Sequence, residues 1–80
     1  AFSLYPRSVV DQTQLNVVSN KLSDMTIRIT VDGVEWQKHE YKAIKNAVFN
    51  YDLTHLPKGR IIVEAFMDGI SRFKGRINKK

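Results

Sequence analysis

Residues 25–31 alternate without a fault: Met25, Ile27, Ile29 and Val31 share one face, Thr26, Arg28 and Thr30 the other. A period of two carried by β-branched residues predicts a half-buried strand. Asp32-Gly33 follows, then Val34 to His39. Asp-Gly readily takes the positive φ angles of a type I′ turn, so a two-residue hairpin is expected. That register sets Val31 opposite Val34 and Ile29 opposite Trp36, which assigns Trp36 to the core and not to a ligand platform.

A second hairpin is expected near the end. Ile61, Val63 and Ala65 share one face of the first arm; Phe73 and Ile77 share one face of the second. A two-residue Asp68-Gly69 turn would set Val63 opposite Lys74 and Ala65 opposite Arg72, burying charge. A three-residue loop, Met67-Asp68-Gly69, sets Val63 opposite Phe73 and Glu64 opposite Arg72. One step of register turns every side chain over, so the second form, a turn with a G1 bulge, is predicted.

Between the hairpins Ala47, Phe49, Tyr51 and Leu53 alternate again, and the run Asp52 to Gly59 breaks the pattern with turn residues. Leu53 and Leu56 are expected to tuck this connection onto the core. Val9-Val10 and Leu15 to Val18 are shorter strand candidates, with Ser19 to Asp24 as a polar loop between strands. Phe2 and Tyr5 either close an end of the core or dock onto a neighbour. Glu40 to Val48 is the best helical stretch, and its apolar residues make no long stripe. Six or seven strands at this spacing predict one all-β domain over residues 1–80, a sandwich or small barrel.

Composition narrows this reading. The chain has 80 residues, 42% hydrophobic and 26% charged, which suits a globular domain with one modest core. There is no cysteine, so packing must do without disulfides. No apolar run is long enough for a membrane-spanning helix. The first residue is alanine; removal of a leader and simple trimming are both compatible with it. The formal charge is +5. Acidic and basic groups balance over residues 1–57, and the excess lies in 58–80, where Lys58, Arg60, Arg72, Lys74, Arg76, Lys79 and Lys80 face only Glu64 and Asp68.

Catalytic chemistry finds little support. A nucleophilic site needs an activated Ser or Cys with a histidine base, and no serine sits in a nucleophile elbow. His39 and His55 are the only imidazoles, too isolated for a metal site, and read as ordinary surface histidines. Glu35 and Glu40 read as solvent-facing strand charges rather than an acid–base pair. No glycine-rich phosphate loop, cofactor motif or enzyme signature is present. The sharpest polar feature is the alternation Arg72, Lys74, Arg76, which with Arg60 would form a stripe on one sheet face. It reads either as an anion-binding surface or as a solvated outer face that guards an edge strand. Nucleic acid is the weaker choice of partner, because aromatics interleaved with the bases are lacking; Phe66 and Tyr41 are the candidate exposed rings.

Three stretches carry a resemblance: Met25 to Val34, the turn Tyr51-Asp-Leu-Thr-His-Leu-Pro-Lys-Gly59, and Ile61 to Ala65. From Leu15 to Lys80 the chain resembles two related groups of Bacteroidetes β-sandwich domains. One is a family of small secreted Ig-like proteins of unknown function; the other is the C-terminal sorting domain of type IX secretion cargo. The families usually carry Tyr two residues after that Gly, where this chain has Ile61; the basic end at Lys79-Lys80 is similar to that of the sorting domain. The resemblance implies an Ig-like antiparallel β-sandwich, export to the periplasm or cell surface, and no catalysis. The expectation is therefore a structural or interaction module for another protein or a surface glycan, without cofactors. The alternatives are a basic β-barrel binding nucleic acid or an acidic polymer, and a secretion-sorting tag.

Overall fold

A computed structural model describes residues 1–9 and 11–79, with Val9 described through its backbone alone. The expectations that touch Val10 and Lys80 lie outside the described residues. The elements are β1 (Phe2–Tyr5), β2 (Ser8–Val9), β3 (Gln12–Val31), β4 (Val34–Asp52), β5 (Arg60–Met67) and β6 (Ile70–Lys79). They form one sheet in the order β1-β3-β5-β6-β2, with β4 along the other side of β3. The protein is all-β. Two separate sheets of an Ig-like sandwich are not what the pairing draws, and β2 runs parallel to β6.

The reason lies in β3 and β4, at 20 and 19 residues more than three times the usual strand length of about 5–6. In β3 the inward positions stay odd from Thr13, Leu15 and Val17 to Ser23, Met25, Ile27, Ile29 and Val31, all buried. Between the two apolar runs, Ser19 to Leu22 are bulged out opposite Lys45, and directly after them Lys42 and Ala43 are bulged out opposite Asp24. Bulges on both arms at one level turn a sharp corner in the hairpin. Ala43 takes φ 53° there. Its N–H is accepted by Asp24 Oδ1 at 3.3 Å, and that of Ser19 by Asn46 Oδ1 at 3.3 Å. The expected polar loop at Ser19 to Asp24 is thus the corner of a continuous strand. Polar residues look the same in both roles.

Beyond the corner, the hairpin faces itself. Tyr41 and Phe49, both on β4, stack with ring centroids 4.2 Å apart. The sheet is curled into a half-barrel, and its interior holds Leu15 and Val17 from one half against Ile27, Ile29, Ile61, Val63 and Ile77 from the other. Each such side chain contributes about 1.5–3 kcal/mol of burial. At the far side β1 lies over β6: Phe2 stacks on Phe73 at 5.6 Å. Leu4 fills the space above Gly75, where a Cβ would come within 2.7 Å of its Cδ2. Phe2 therefore closes an end of the core, whereas Tyr5 stays 76% exposed. Leu53 and Leu56 are buried under the connection to β5, as their spacing predicts.

Both hairpins depart from the expected register, in the same way. Asp32-Gly33 and Asp68-Gly69 are two-residue turns with φ positive at both residues (50° and 85°; 51° and 82°), the type I′ form. Two residues later each second arm carries one extra residue. Trp36 bulges between Glu35, paired with Thr30, and Gln37, paired with Ile29. Arg72 bulges between Ser71, paired with Phe66, and Phe73, paired with Ala65. Ile29 thus faces Gln37, not Trp36, and Val63 faces Gly75, not Phe73. The predicted three-residue loop is a tight turn plus a bulge. The extra residue sits in the strand, and it restores the same buried face.

Candidate functional site

The Arg72 bulge decides where the basic residues go. With it, Phe73, Gly75 and Ile77 point inward, while Lys74 and Arg76 lie on the outer face of the sheet. Across the outer face of β5, Arg60 pairs with Asn78, Ile62 with Arg76 and Glu64 with Lys74. Arg60, Lys74 and Arg76 are exposed on this side of the molecule, whereas Arg72, exposed at the bulge, lines a recess with Ser23, Met67 and Ile70.

They are not one uniform cationic stripe. Glu64 sits in its middle, 3.9 Å from Lys74 Nζ, and accepts a hydrogen bond from Ser71 Oγ at 2.6 Å. One strand over, Arg28 faces Glu64 and donates from Nε to Glu35 Oε1 at 2.8 Å. On β4, Lys38 is 3.5 Å from Glu40. Lys38, Arg28, Glu64 and Lys74 thus form a charged ladder across four strands. Among the described residues, Arg60, Arg72 and Arg76 form no ion pair. Lys79, counted with the basic end of the sequence, has a different task. Its Nζ donates to the carbonyls of Leu53 (2.9 Å), Thr54 (3.2 Å) and Leu56, clamping the connection between β4 and β5.

The Trp36 bulge has the opposite content. Trp36 is 52% exposed at the bulge, not in the core. Without the bulge Lys38 and Glu40 would point inward; with it, Gln37, His39 and Tyr41 do. These three meet Phe49 and Tyr51 of the other half of β4 in a half-buried seam. His39 lies 4.8 Å from the Tyr51 ring, and its Nε2 is 3.0 Å from Gln37 Oε1. It is a seam residue and not an ordinary surface histidine. Tyr41 and Tyr51 join their hydroxyls at 3.1 Å. Burial, then the Tyr41 hydrogen bond, holds the proton on Tyr51 well above the ordinary phenol range. Phe66 and Tyr41 are both half-buried; the open rings are Trp36 and Tyr5.

Elsewhere polar groups serve the backbone. Asp52 Oδ1 accepts from the Thr54 hydroxyl and from its N–H at 2.9 Å, which lowers the Asp52 pKa. Glu35 and Glu40 each meet a cation, as solvent-facing strand charges do. Among the described residues, no group of three His, Asp or Glu side chains is placed to hold a metal ion. Among the described residues no helix is long and apolar enough to cross a membrane. Ser23 Oγ is buried at the corner with no hydrogen-bond partner, beside a recess that Lys21, Asp68 and Arg72 also line. No family model matches the chain, and neither any curated protein nor any solved structure is similar to it.

Proposed function

We propose that the domain is an exported, non-catalytic Ig-like module that holds a glycan or protein partner on the outer face of its sheet. One observation carries this reading: a bulge lifts Trp36 out of the core and displays it, half exposed, on the strand that also carries the exposed Glu35 and Lys38. A large rigid ring loses little entropy on binding and offers both apolar area and an N–H, and such rings with arginine dominate binding surfaces. The resemblance of the stretches Met25 to Val34, Tyr51 to Gly59 and Ile61 to Ala65 to secreted Bacteroidetes sandwich domains supports export and the Ig-like assignment. A glycan array probed with the chain and with Trp36→Ala tests the reading. Binding to a defined sugar class that vanishes in the variant, at an unchanged melting temperature, is expected. Equal signals for the two proteins would overturn it.

A second reading has its own support in the three guanidinium groups without ion pairs. Arg60, Arg72 and Arg76 would hold an acidic polymer, with binding that weakens steeply as salt rises. Heparin retention at two salt concentrations, for the chain and for a triple change of these residues to Glu, separates the readings. Retention that is independent of salt, or survives the triple change, removes the second one.

A further inference from the structure

The free edge of β4 is the feature that this function does not use. Among the described residues β4 pairs with β3 alone, so between its two bulges one row of N–H and C=O groups is open. Such a row is a template for another strand. Its regular stretch is short, bounded by the bulges at Trp36 and Ala43. Residues 37–41 form the flat part, centred on His39.

We infer that this edge pairs with a second copy of the chain, β4 against β4, antiparallel about a two-fold axis at His39. The charges choose the occupant. About that axis Lys38 stands opposite Glu40 of the other copy, and Glu40 opposite its Lys38, so the outer face gains two opposite-charge cross-strand pairs. On the inner face Gln37 meets Tyr41, again twice, extending the half-buried seam across the axis. A two-fold interface requires a patch complementary to itself, and this stretch is one. β6, which β2 covers only at Asn78 and Lys79, is the contrast. The same operation on β6 about Lys74 would set Arg72 against Arg76 twice and Lys74 against itself, six cations in a row. The β6 edge repels its own copy; the β4 edge fits it.

Only five residue pairs join, so the dimer is weak and forms toward high concentration. Sedimentation equilibrium of the chain, of Lys38→Glu and of Glu40→Lys tests it. Both side chains are exposed (51% and 67%), and matching melting temperatures check that the variants fold. The parent chain should dimerise with concentration, and each variant alone should associate at least roughly tenfold more weakly, since two attractive pairs become repulsive. Mixing the two variants in equal amounts should restore association, because the carboxylates of one then face the ammonium groups of the other. Both variants lose the pair within the chain, so only contact between chains can be rescued by mixing. A parent chain monomeric to about 1 mM, variants that dimerise like the parent, or a mixture that stays monomeric would each overturn the inference.

Discussion

The two Asp-Gly hairpins are built to one plan and protect different things. In each, the turn aspartate clips onto a neighbouring strand with both its groups. The Asp32 N–H donates to the Arg60 carbonyl and its carboxylate accepts the Arg60 N–H, both at 2.9 Å. Asp68 makes the same exchange with Asp24, at 2.9 and 3.1 Å. In each, a single extra residue three places past the turn resets the phase of the second arm. What differs is what the reset keeps inside. On β6 it places Phe73, Gly75 and Ile77 against the core, with Ile77 fully buried. On β4 it places Gln37, His39 and Tyr41 in a half-open seam. The same device therefore holds a core in one hairpin and shapes a surface in the other.

Truncating one residue that each bulge turns inward is the hardest test of that distinction. Ile77→Ala empties a fully buried position and should cost about 2–5 kcal/mol, a large part of a total stability on the order of 5–15 kcal/mol. His39→Ala removes a half-buried side chain from the open seam and should cost about 1 kcal/mol. Circular dichroism melts of both variants measure this, and equal losses would break the comparison.

Much of this was legible in the strand alternation, and the misses have one cause. The second bulge announces itself in the sequence, because a plain two-residue turn would bury Lys74 and Arg76; only its position, in the strand instead of the turn, is not readable. The first bulge leaves the same mark in Lys38 and Glu40, which a plain turn points inward. Trp36 opposite Ile29 is so plausible a core pair that it hides the conflict two residues further on. The corner at Ser19 to Leu22 is harder, since a polar run that leaves β3 in phase looks the same as a loop. Lys79 is illegible: nothing local says that a terminal lysine reaches back to the carbonyls of Leu53, Thr54 and Leu56. Arg72, Lys74 and Arg76 are exposed, but the bulge breaks their alternation at Arg72 and moves Glu64 from its expected place opposite Arg72 to one opposite Lys74.

A smaller effect separates the aspartate clips from the turns themselves. Gly33 and Gly69 have open space where a Cβ would stand, so only their left-handed backbone resists substitution. Gly33→Ala and Gly69→Ala should each cost about 1 kcal/mol, alike in the two hairpins. Gly59→Ala is different, because its Cβ would lie 2.6 Å from Asp32 Oδ2. The carboxylate must leave Arg60, which frees the first clip and leaves the second intact. Hydrogen exchange should then speed up at Arg60 and stay unchanged at Asp24. Faster exchange at both would mean the two clips are one cooperative unit.

The smallest effect distinguishes the inner faces by their response to alkali. The β6 face inside the core, Phe73, Gly75 and Ile77, contains nothing that ionises. The β4 seam contains Tyr51, 4% exposed, whose proton is held by burial and by Tyr41 above the ordinary value of 10.0. The folded chain keeps this proton at a pH where the unfolded chain gives it up. Unfolding then releases a proton, and stability is lost as pH rises past about 10; below that value the group adds no pH dependence. Tyr51→Phe forfeits the hydrogen bond, about 1 kcal/mol at neutral pH, yet should flatten the fall in denaturation midpoint between about pH 9.5 and 11.5. The difference in slope between the two proteins isolates Tyr51 from every group they share. Parallel slopes would mean that the seam admits water freely enough to ionise the phenol in place, and that the two inner faces are less different than their packing makes them.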